Sequence, residues 1–397
     1  MGNLPYFPAV DSITQAALGG VVGELVLGRK LGWKGMVWGL FFGTLPDLDI
    51  IAYPWLDEVE RLKWHRGISH SLLVMIVASF SFAKPLERLH RKKGVSARRA
   101  GWFVFLVWST HVLIDVFTTY GTQIYEPFSD RRVSLNNMAI IDLFFTLPLL
   151  FCLMIRPIKG LVYFPKRIIW GRKWSKARAD FSESDEIGLS PEMEELVEQK
   201  PEIEPTSQRM AKIGISLSCL YVVFSFVMKG WAYSQVSSRI EEEIPGANIV
   251  SVSPTFANVI LWRALVETEK GYWVTYWSPF DREPGTYDYY EKRHELAEAF
   301  EGQELFGALK WFARDHWLAR RGPDGKVILV DMRFSERRDP SHDYQMPVFQ
   351  WHLSYDDEGK MVAPSYRPGR MDYKGALGLV LERLWGNQLR WEEMKPF

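Results

Sequence analysis

Six apolar segments constrain the fold of this chain more than any other feature of its sequence. Lipid offers the backbone no hydrogen bonds, so segments that enter a bilayer fold as helices that pack together. About 20 apolar residues cross a hydrocarbon core of about 30 Å, and the sixth segment meets that length most clearly. The segments are residues 13–28, 35–53, 69–83, 101–120, 139–155 and 211–232. The sequence predicts an all-α multi-pass membrane bundle of about six membrane segments.

The last part of the chain is polar and predicts a different architecture. Two segments in which apolar and polar residues alternate flank a short turn and indicate a β-hairpin, and Pro, Gly and Asp mark further turns. Strand candidates are residues 259–267, 272–278, 326–334 and 348–355, and helix candidates are residues 287–312 and 374–391. We therefore expect a small α+β domain with an antiparallel sheet after the bundle.

Composition divides the chain into four parts. They are a membrane-embedded core at residues 1–157, a basic then acidic cytoplasmic linker at 158–209, a transmembrane helix at 210–233, and the α+β domain at 234–397. The basic run at residues 166–178 contains two tryptophans and is typical of a segment on anionic lipid headgroups. Nucleic-acid binding is the weaker interpretation, because basic runs beside a span are usually topology signals. The expected partner is the lipid bilayer, and no nucleic acid is expected.

Lysine and arginine predict the orientation of the bundle. They are concentrated after the first, third and fifth segments, within residues 29–34, 84–99 and 156–178. Positive loops stay on the cytoplasmic side, so the α+β domain is expected to be extracytoplasmic. The N-terminus lacks the basic region of a signal peptide, and insertion is expected to use the internal segments.

Cysteine usage excludes two classes of site. The chain has 2 cysteines, Cys152 and Cys219, and each lies within an apolar segment. A disulfide framework and a cysteine-type zinc site are therefore not available. The net charge of zero averages an apolar half and a polar half, so it says little about either.

The stretch from Gly43 to Ser71 carries the chemistry-bearing residues. It places two carboxylates and two imidazoles beside apolar segments, at Asp47, Asp49, His65 and His70. Such groups are costly near lipid unless they are paired or bind a ligand. Taken alone, each aspartate could be a turn or cap residue of an ordinary loop.

A second cluster lies inside an apolar run, where His111 and Asp115 are four residues apart. On a helix this spacing puts both side chains on one face, so one metal ion or substrate could touch both. The simpler alternative is a hydrogen bond between the two inside a bundle. Oxygen and nitrogen donors without sulfur suit Zn, Mn or non-haem Fe, and one or two ions are possible.

Five ordered motifs carry a family resemblance. They are DSITQAALGGVVGE from Asp11, GTLPDLD from Gly43, WHRGISHS from Trp64, THVLIDVFTTYGTQIYEPFSDRR from Thr110 and LNNMAIIDLFFTLPLL from Leu135. Over residues 11–150 the chain resembles the YdjM-type family of bacterial inner-membrane proteins, which are described as metal-dependent hydrolases. The resemblance implies a multi-pass protein of the cell inner membrane whose Asp and His motif residues hold the metal.

These observations lead to one mechanistic hypothesis. One or two divalent ions would be held by Asp47, Asp49, His65, His70, His111 and Asp115, and would activate water. Asp47 and Asp49 are the candidate proton acceptors, and Arg66, with Arg131 or Arg132, would neutralise an anionic substrate such as a lipid-linked phosphoester. The alternative is a non-catalytic membrane protein with a structural metal or polar site and a partner-binding outer domain.

Overall fold

The computed structural model describes residues 8–181, 204–338, 345–365, 373–388, 391 and 393. Within these residues the membrane part contains the helices α1 Pro8–Leu31, α2 Trp33–Thr44, α3 Glu58–Trp64, α4 Leu72–His90, α5 Ala97–Phe117, α6 Leu143–Phe181 and α7 Glu204–Glu243. The 3₁₀ segment Pro46–Trp55 follows α2, and the 3₁₀ segment Ile68–His70 precedes α4. Residues 158–181 of the expected linker continue α6, and its residues 182–203 lie outside the described part of the chain.

Glycines allow α1 and α2 to pack backbone against backbone. A Cβ on Gly19 would collide with the carbonyl oxygen of Gly39, and a Cβ on Gly23 would collide with that of Gly35. Small residues at helix interfaces permit this close approach. It brings the residues that follow α2 beside the start of α1.

Fewer segments than expected meet the requirements of a membrane span. In the described residues, three helices are long and apolar enough: Ala97–Phe117, Leu143–Leu161 and Thr206–Glu243. Counting each bent pair as one span, Trp33–Thr44 with Pro46–Trp55 and Glu58–His70 with Leu72–Lys93, raises the number to 5. The predicted six crossings are therefore not confirmed, because at most five spans are found in the described residues and two of these are bent, by 46° and 53°.

The outer surface of the bundle is apolar, and its interior is partly polar. Phe80 is 78% exposed and Phe151 is 64% exposed, which fits lipid contact rather than contact with water. Inside the bundle, Arg156 Nη2 donates to Glu24 Oε1 at 2.6 Å, and both side chains are buried. This ion pair joins α1 to α6.

The C-terminal part forms antiparallel sheets, as the sequence predicts. One sheet has the order β1-β2-β3-β4, with β1 Asn248–Pro254, β2 Trp262–Glu267, β3 Gly271–Trp277 and β4 Asp288–Glu291. The second has the order β10-β9-β6-β5, with β5 Trp317–Arg321, β6 Val327–Asp331, β9 Gln350–Tyr355 and β10 Met361–Val362. A short pair joins β7 Glu336–Arg337 to β8 Met346–Pro347, and the helices are α8 Glu304–Phe312 and α9 Tyr373–Leu384.

The helix predicted for residues 287–312 is wrong in its first half. Residues 288–291 form β4, which pairs with β3 and buries Tyr290 in the core. A 3₁₀ segment, His294–Phe300, and then α8 follow. Pairing at the edge of an existing sheet overrides the local preference of this segment.

The C-terminal domain covers one end of the bundle. Val59, Leu62 and Tyr120 of the membrane part pack against the core of that domain. The Ala363 N–H donates to Glu58 Oε2 at 3.3 Å. The end that it covers is the end where α5 finishes and where the predicted site residues lie.

Candidate metal centre

Four side chains from three segments meet beneath the C-terminal domain. Asp47 lies in the 3₁₀ segment after α2, and His70 ends the 3₁₀ segment before α4. His111 and Asp115 lie on α5, one turn apart, so they share a face. All four side chains are buried.

One donor atom of each residue faces the other three. His70 Nε2 lies 3.0 Å from His111 Nε2, 3.3 Å from Asp47 Oδ1 and 3.1 Å from Asp115 Oδ2. His111 Nε2 lies 3.5 Å from each of these two oxygens. The ligand atoms of the group all lie within 4.8 Å of one another.

Hydrogen bonds on the far side of each ring fix the histidine tautomers. His111 Nδ1 lies 2.7 Å from the carbonyl oxygen of Gly43, which can only accept, so this nitrogen carries the hydrogen. His70 Nδ1 lies 2.8 Å from Ser69 Oγ, which in turn donates to Asp49 Oδ2 at 3.3 Å. In the neutral form that metal binding requires, each ring would therefore direct an Nε2 lone pair inward.

The two carboxylates are oriented in the same way. Asp115 Oδ1 accepts from Gln15 Nε2 at 2.8 Å and pairs with Arg66 Nη2 at 3.0 Å. Asp47 Oδ2 accepts from Ser12 Oγ at 3.2 Å. The remaining oxygens, Asp47 Oδ1 and Asp115 Oδ2, are buried, and within the described residues their polar contacts are with the imidazole Nε2 atoms. They are the two oxygens that face the imidazoles.

This arrangement fits a divalent cation. Four lone pairs directed at one another repel unless a positive charge lies between them. Zinc bonds of about 2.0–2.1 Å in a tetrahedron place neighbouring donor atoms about 3.3 Å apart. Five of the six donor–donor separations are 3.0 to 3.5 Å, close to that spacing, and all four donor atoms lie within 4.8 Å of one another. Manganese and iron accept the same nitrogen and oxygen donors, so the donor set does not select the metal.

Comparison with known families agrees with the motifs. A family model described as YdjM inner membrane protein matches residues 10–232, which is more than half of the chain. The chain belongs to the YdjM inner membrane protein family. No curated protein and no solved structure matches it. The family resemblance of the motifs is thereby confirmed, and all four facing residues lie inside the matched region of this YdjM-family chain.

The structure places Asp49 and His65 beside the four facing residues rather than among them. Asp49 Oδ1 lies 3.2 Å from His65 Nδ1, and its Oδ2 accepts from the Arg66 N–H at 3.1 Å and from Ser69. Asp49 Oδ2 lies 4.0 Å from His70 Nδ1. In this position Asp49 orients His70 through Ser69.

Arg66 is held close to the centre in an unusual backbone conformation. Its φ is 57°, a region that non-glycine residues seldom adopt. Its backbone N–H donates to Asp49, and its carbonyl accepts from the Gln123 N–H at 3.0 Å. Strained residues of this kind occur often at functional sites, and here the strain points the guanidinium at Asp115.

Sequence reasoning missed three residues that orient the ligands, namely Ser12, Gln15 and Ser69. Ser12 and Gln15 are three positions apart on α1, so they lie on one face of that helix. Two polar side chains on one face of α1, near its N-terminal end, were the available signal. Ser69 lies between two site residues, and no spacing rule marks it.

Proposed function

We propose that this YdjM-family chain is a membrane-bound metal-dependent hydrolase that acts on a phosphoester or lipid-linked substrate at the outer face of the inner membrane. One observation carries the proposal: inside the bundle, two imidazole Nε2 atoms lie 3.0 Å apart, and each lies within 3.5 Å of the same two carboxylate oxygens. A divalent cation held by Asp47, His70, His111 and Asp115 would supply Lewis-acid chemistry toward water or a phosphoryl oxygen.

The surrounding side chains have distinct roles in this proposal. Asp47 is the most exposed of the four, with 9% of its side chain accessible against 0% for Asp115, so it accepts the proton that the attacking water loses. Arg66 neutralises the anionic substrate beside Asp115. Asp49 keeps His70 in the required tautomer through Ser69.

The outward orientation rests on the distribution of basic residues. A Cβ at Gly94 would lie 3.3 Å from Lys30 Nζ, so the basic turn after α4 lies beside the basic end of α1. Ser12, near the other end of α1, contacts Asp47 of the site. Basic turns favour the cytoplasm, which supports an extracytoplasmic site and C-terminal domain. A reporter fused after Phe397 that is active only in the cytoplasm would overturn this orientation.

Hydrolysis is tested with full-length protein purified in detergent. The substrates are p-nitrophenyl phosphate, its bis-ester and phosphatidic acid in mixed micelles, each assayed with added Zn²⁺, Mn²⁺ or Fe²⁺. We expect Asp47→Asn to lower kcat/KM by about 10²–10⁴-fold, the range typical of a lost proton acceptor. Asp130→Asn, which changes an exposed carboxylate in the loop before α6, is the matched control. Metal-dependent turnover that is equal in the two variants would contradict the assignment.

The number of facing side chains, four, favours a second function, a structural metal site. Four protein ligands fill a tetrahedral ion and leave no position for water, whereas a six-coordinate ion keeps two positions open. X-ray absorption spectroscopy of the metal-loaded protein counts the atoms around the ion. Six neighbours would support the hydrolase, and four neighbours without turnover would support a structural role with a partner-binding outer domain.

A further inference from the structure

Three arginines converge where the membrane part meets the C-terminal domain. Arg132 lies between α5 and α6, Arg314 follows α8, and Arg333 follows β6. Arg132 Cζ lies 4.9 Å from the centre of the Phe312 ring, and Arg333 Cζ lies 5.4 Å from it. A Cβ on Gly121 would collide with Arg314 Nη2 and lie 3.3 Å from Arg132 Cβ.

Several guanidinium nitrogen atoms of this cluster are buried and have no acceptor within the described residues. Arg132 and Arg333 are 6% and 4% exposed, and Arg314 is half-buried. Five of the nitrogen atoms are buried and have no hydrogen-bond partner within the described residues: Arg132 Nε and Nη1, Arg314 Nε and Nη2, and Arg333 Nη1. Buried polar groups are nearly always paired, so several orphaned donors in one place indicate a missing acceptor.

The charge of the cluster is also unbalanced. Arg333 forms a bidentate pair with Asp331, at 3.0 Å and 2.6 Å. Arg132 donates to the neutral carbonyl of Gly121 at 3.2 Å, and no ion pair of Arg132 or Arg314 is found in the described part of the chain. Burial, with the neighbouring Arg333 and Arg132, lowers the pKa of Arg314 to about 10, so it is still charged at neutral pH. Three cations against one carboxylate leave two positive charges.

Aromatic rings pack against the Arg132 guanidinium. Its Cζ lies 4.3 Å from the centre of the Tyr120 ring and 5.4 Å from that of Trp311. Such rings stabilise the face of a guanidinium and leave its edge free to bind an oxyanion. Tyr120 also contacts Arg66, whose Cζ lies 4.9 Å from the ring centre. One aromatic ring therefore separates this cluster from the arginine of the metal centre.

We propose that Arg132, Arg314 and Arg333 bind a phosphate group, with donors from both the membrane part and the C-terminal domain. Guanidinium groups bind phosphate in a bidentate manner, and a phosphate monoester dianion matches two uncompensated positive charges. The same chemistry occurs in an anionic lipid headgroup and in a soluble phosphate. The proposal goes beyond the proposed hydrolysis, since binding is measured without turnover.

The test uses the full-length protein in phosphatidylcholine nanodiscs and measures Tm while inorganic phosphate replaces chloride at constant ionic strength. A ligand that binds only the folded state raises Tm, and at about hundredfold excess over Kd we expect a rise of about 3 °C. A second arm replaces part of the phosphatidylcholine with phosphatidic acid and adds no phosphate. A rise in the second arm assigns the site to a lipid headgroup, and a rise in the first alone assigns it to a soluble phosphate.

Variants test whether the change in Tm arises from phosphate binding at the arginine cluster. Arg132→Lys and Arg314→Lys keep the charge but lose the planar fork, and each should weaken the apparent phosphate affinity at least tenfold while the protein still folds. Arg321→Lys changes an exposed arginine outside the cluster and should respond like the wild type. The proposal is overturned if phosphate and phosphatidic acid leave the wild-type Tm unchanged, or if the Arg132→Lys and Arg314→Lys variants respond as strongly as the wild type.

Discussion

The sharpest prediction concerns His111, because its ring has one structural bond and one inward-facing nitrogen. Its Nδ1 donates to Gly43, and its Nε2 lies 3.0 Å from His70 Nε2. Replacing it in His111→Ala removes one of four ligands and leaves the other three in place. We expect the metal to bind much more weakly while the helices stay packed.

The size of the loss follows from the number of ligands. Structural metal sites with four protein ligands bind with about 10–16 kcal/mol, which is about 3 kcal/mol per ligand. Since each 1.4 kcal/mol is a factor of ten, losing one ligand should weaken metal affinity by about a hundredfold or more. Asp49→Asn, which only disturbs the orientation of His70, should cost about 10–100-fold.

The assay is competition with a chelator in detergent, with metal content measured by mass spectrometry and stability followed in parallel. His90→Ala is the matched control, because His90 is buried and accepts from Trp38 Nε1 at 2.8 Å, away from the four facing atoms. Residues that act as one catalytic unit give non-additive losses, so His70→Ala with His111→Ala should cost little more hydrolytic activity than either alone. Unchanged metal affinity in His111→Ala, or strictly additive losses of activity, would refute a shared centre.

Three further outcomes are expected. Glu24→Gln should destabilise the bundle by about 3–5 kcal/mol because it removes the negative charge that pairs with the buried Arg156, whereas replacing both residues with leucine should cost far less, as measured by thermal unfolding in detergent. Gly39→Leu should prevent α1 and α2 from packing and reduce folded yield in size-exclusion chromatography, with Gly160→Leu, which has open space around it, as the control. Burial alone would raise the pKa of Glu336, but the charge of Arg263 holds it below the ordinary value, so the carboxylate stabilises the fold above the unfolded pKa. The stability cost of Glu336→Gln should therefore be full at neutral pH and shrink as pH falls through the folded pKa, in a denaturation series against pH.

The predictable part of the fold was the part with strong periodicity. The apolar segments place α5, α6 and α7, and the segment at residues 259–278 gives the β2–β3 hairpin. The features that the sequence did not predict depend on tertiary contacts. A bend of 46° between α2 and the following segment arises at Pro46, and hydropathy over a window does not register it. The strand β4 exists because β3 offers it an edge.

The same limit applies to the candidate site. His70, His111 and both aspartates that face them lie within motifs that the sequence singles out, since histidine and aspartate are uncommon beside apolar segments. Spacing within one helix relates His111 to Asp115, but no local rule separates Asp47 from Asp49 as the residue that faces the imidazoles. The packing of α2 against α1 determines which aspartate faces the imidazoles.

Charge balance connects the two clusters. At the candidate metal centre, the buried carboxylates of Asp47, Asp49 and Asp115 lie near one guanidinium, that of Arg66. With both imidazoles neutral, as a bound metal requires, two negative charges remain. On the other side of the Tyr120 ring, the arginine cluster has two positive charges that no carboxylate balances. Either imbalance alone would be costly to bury, since an unpaired charge is not solvated inside a protein. A dication in the first cluster and a phosphate dianion in the second would neutralise both, and together they are the metal and the substrate class of a phosphoester hydrolase.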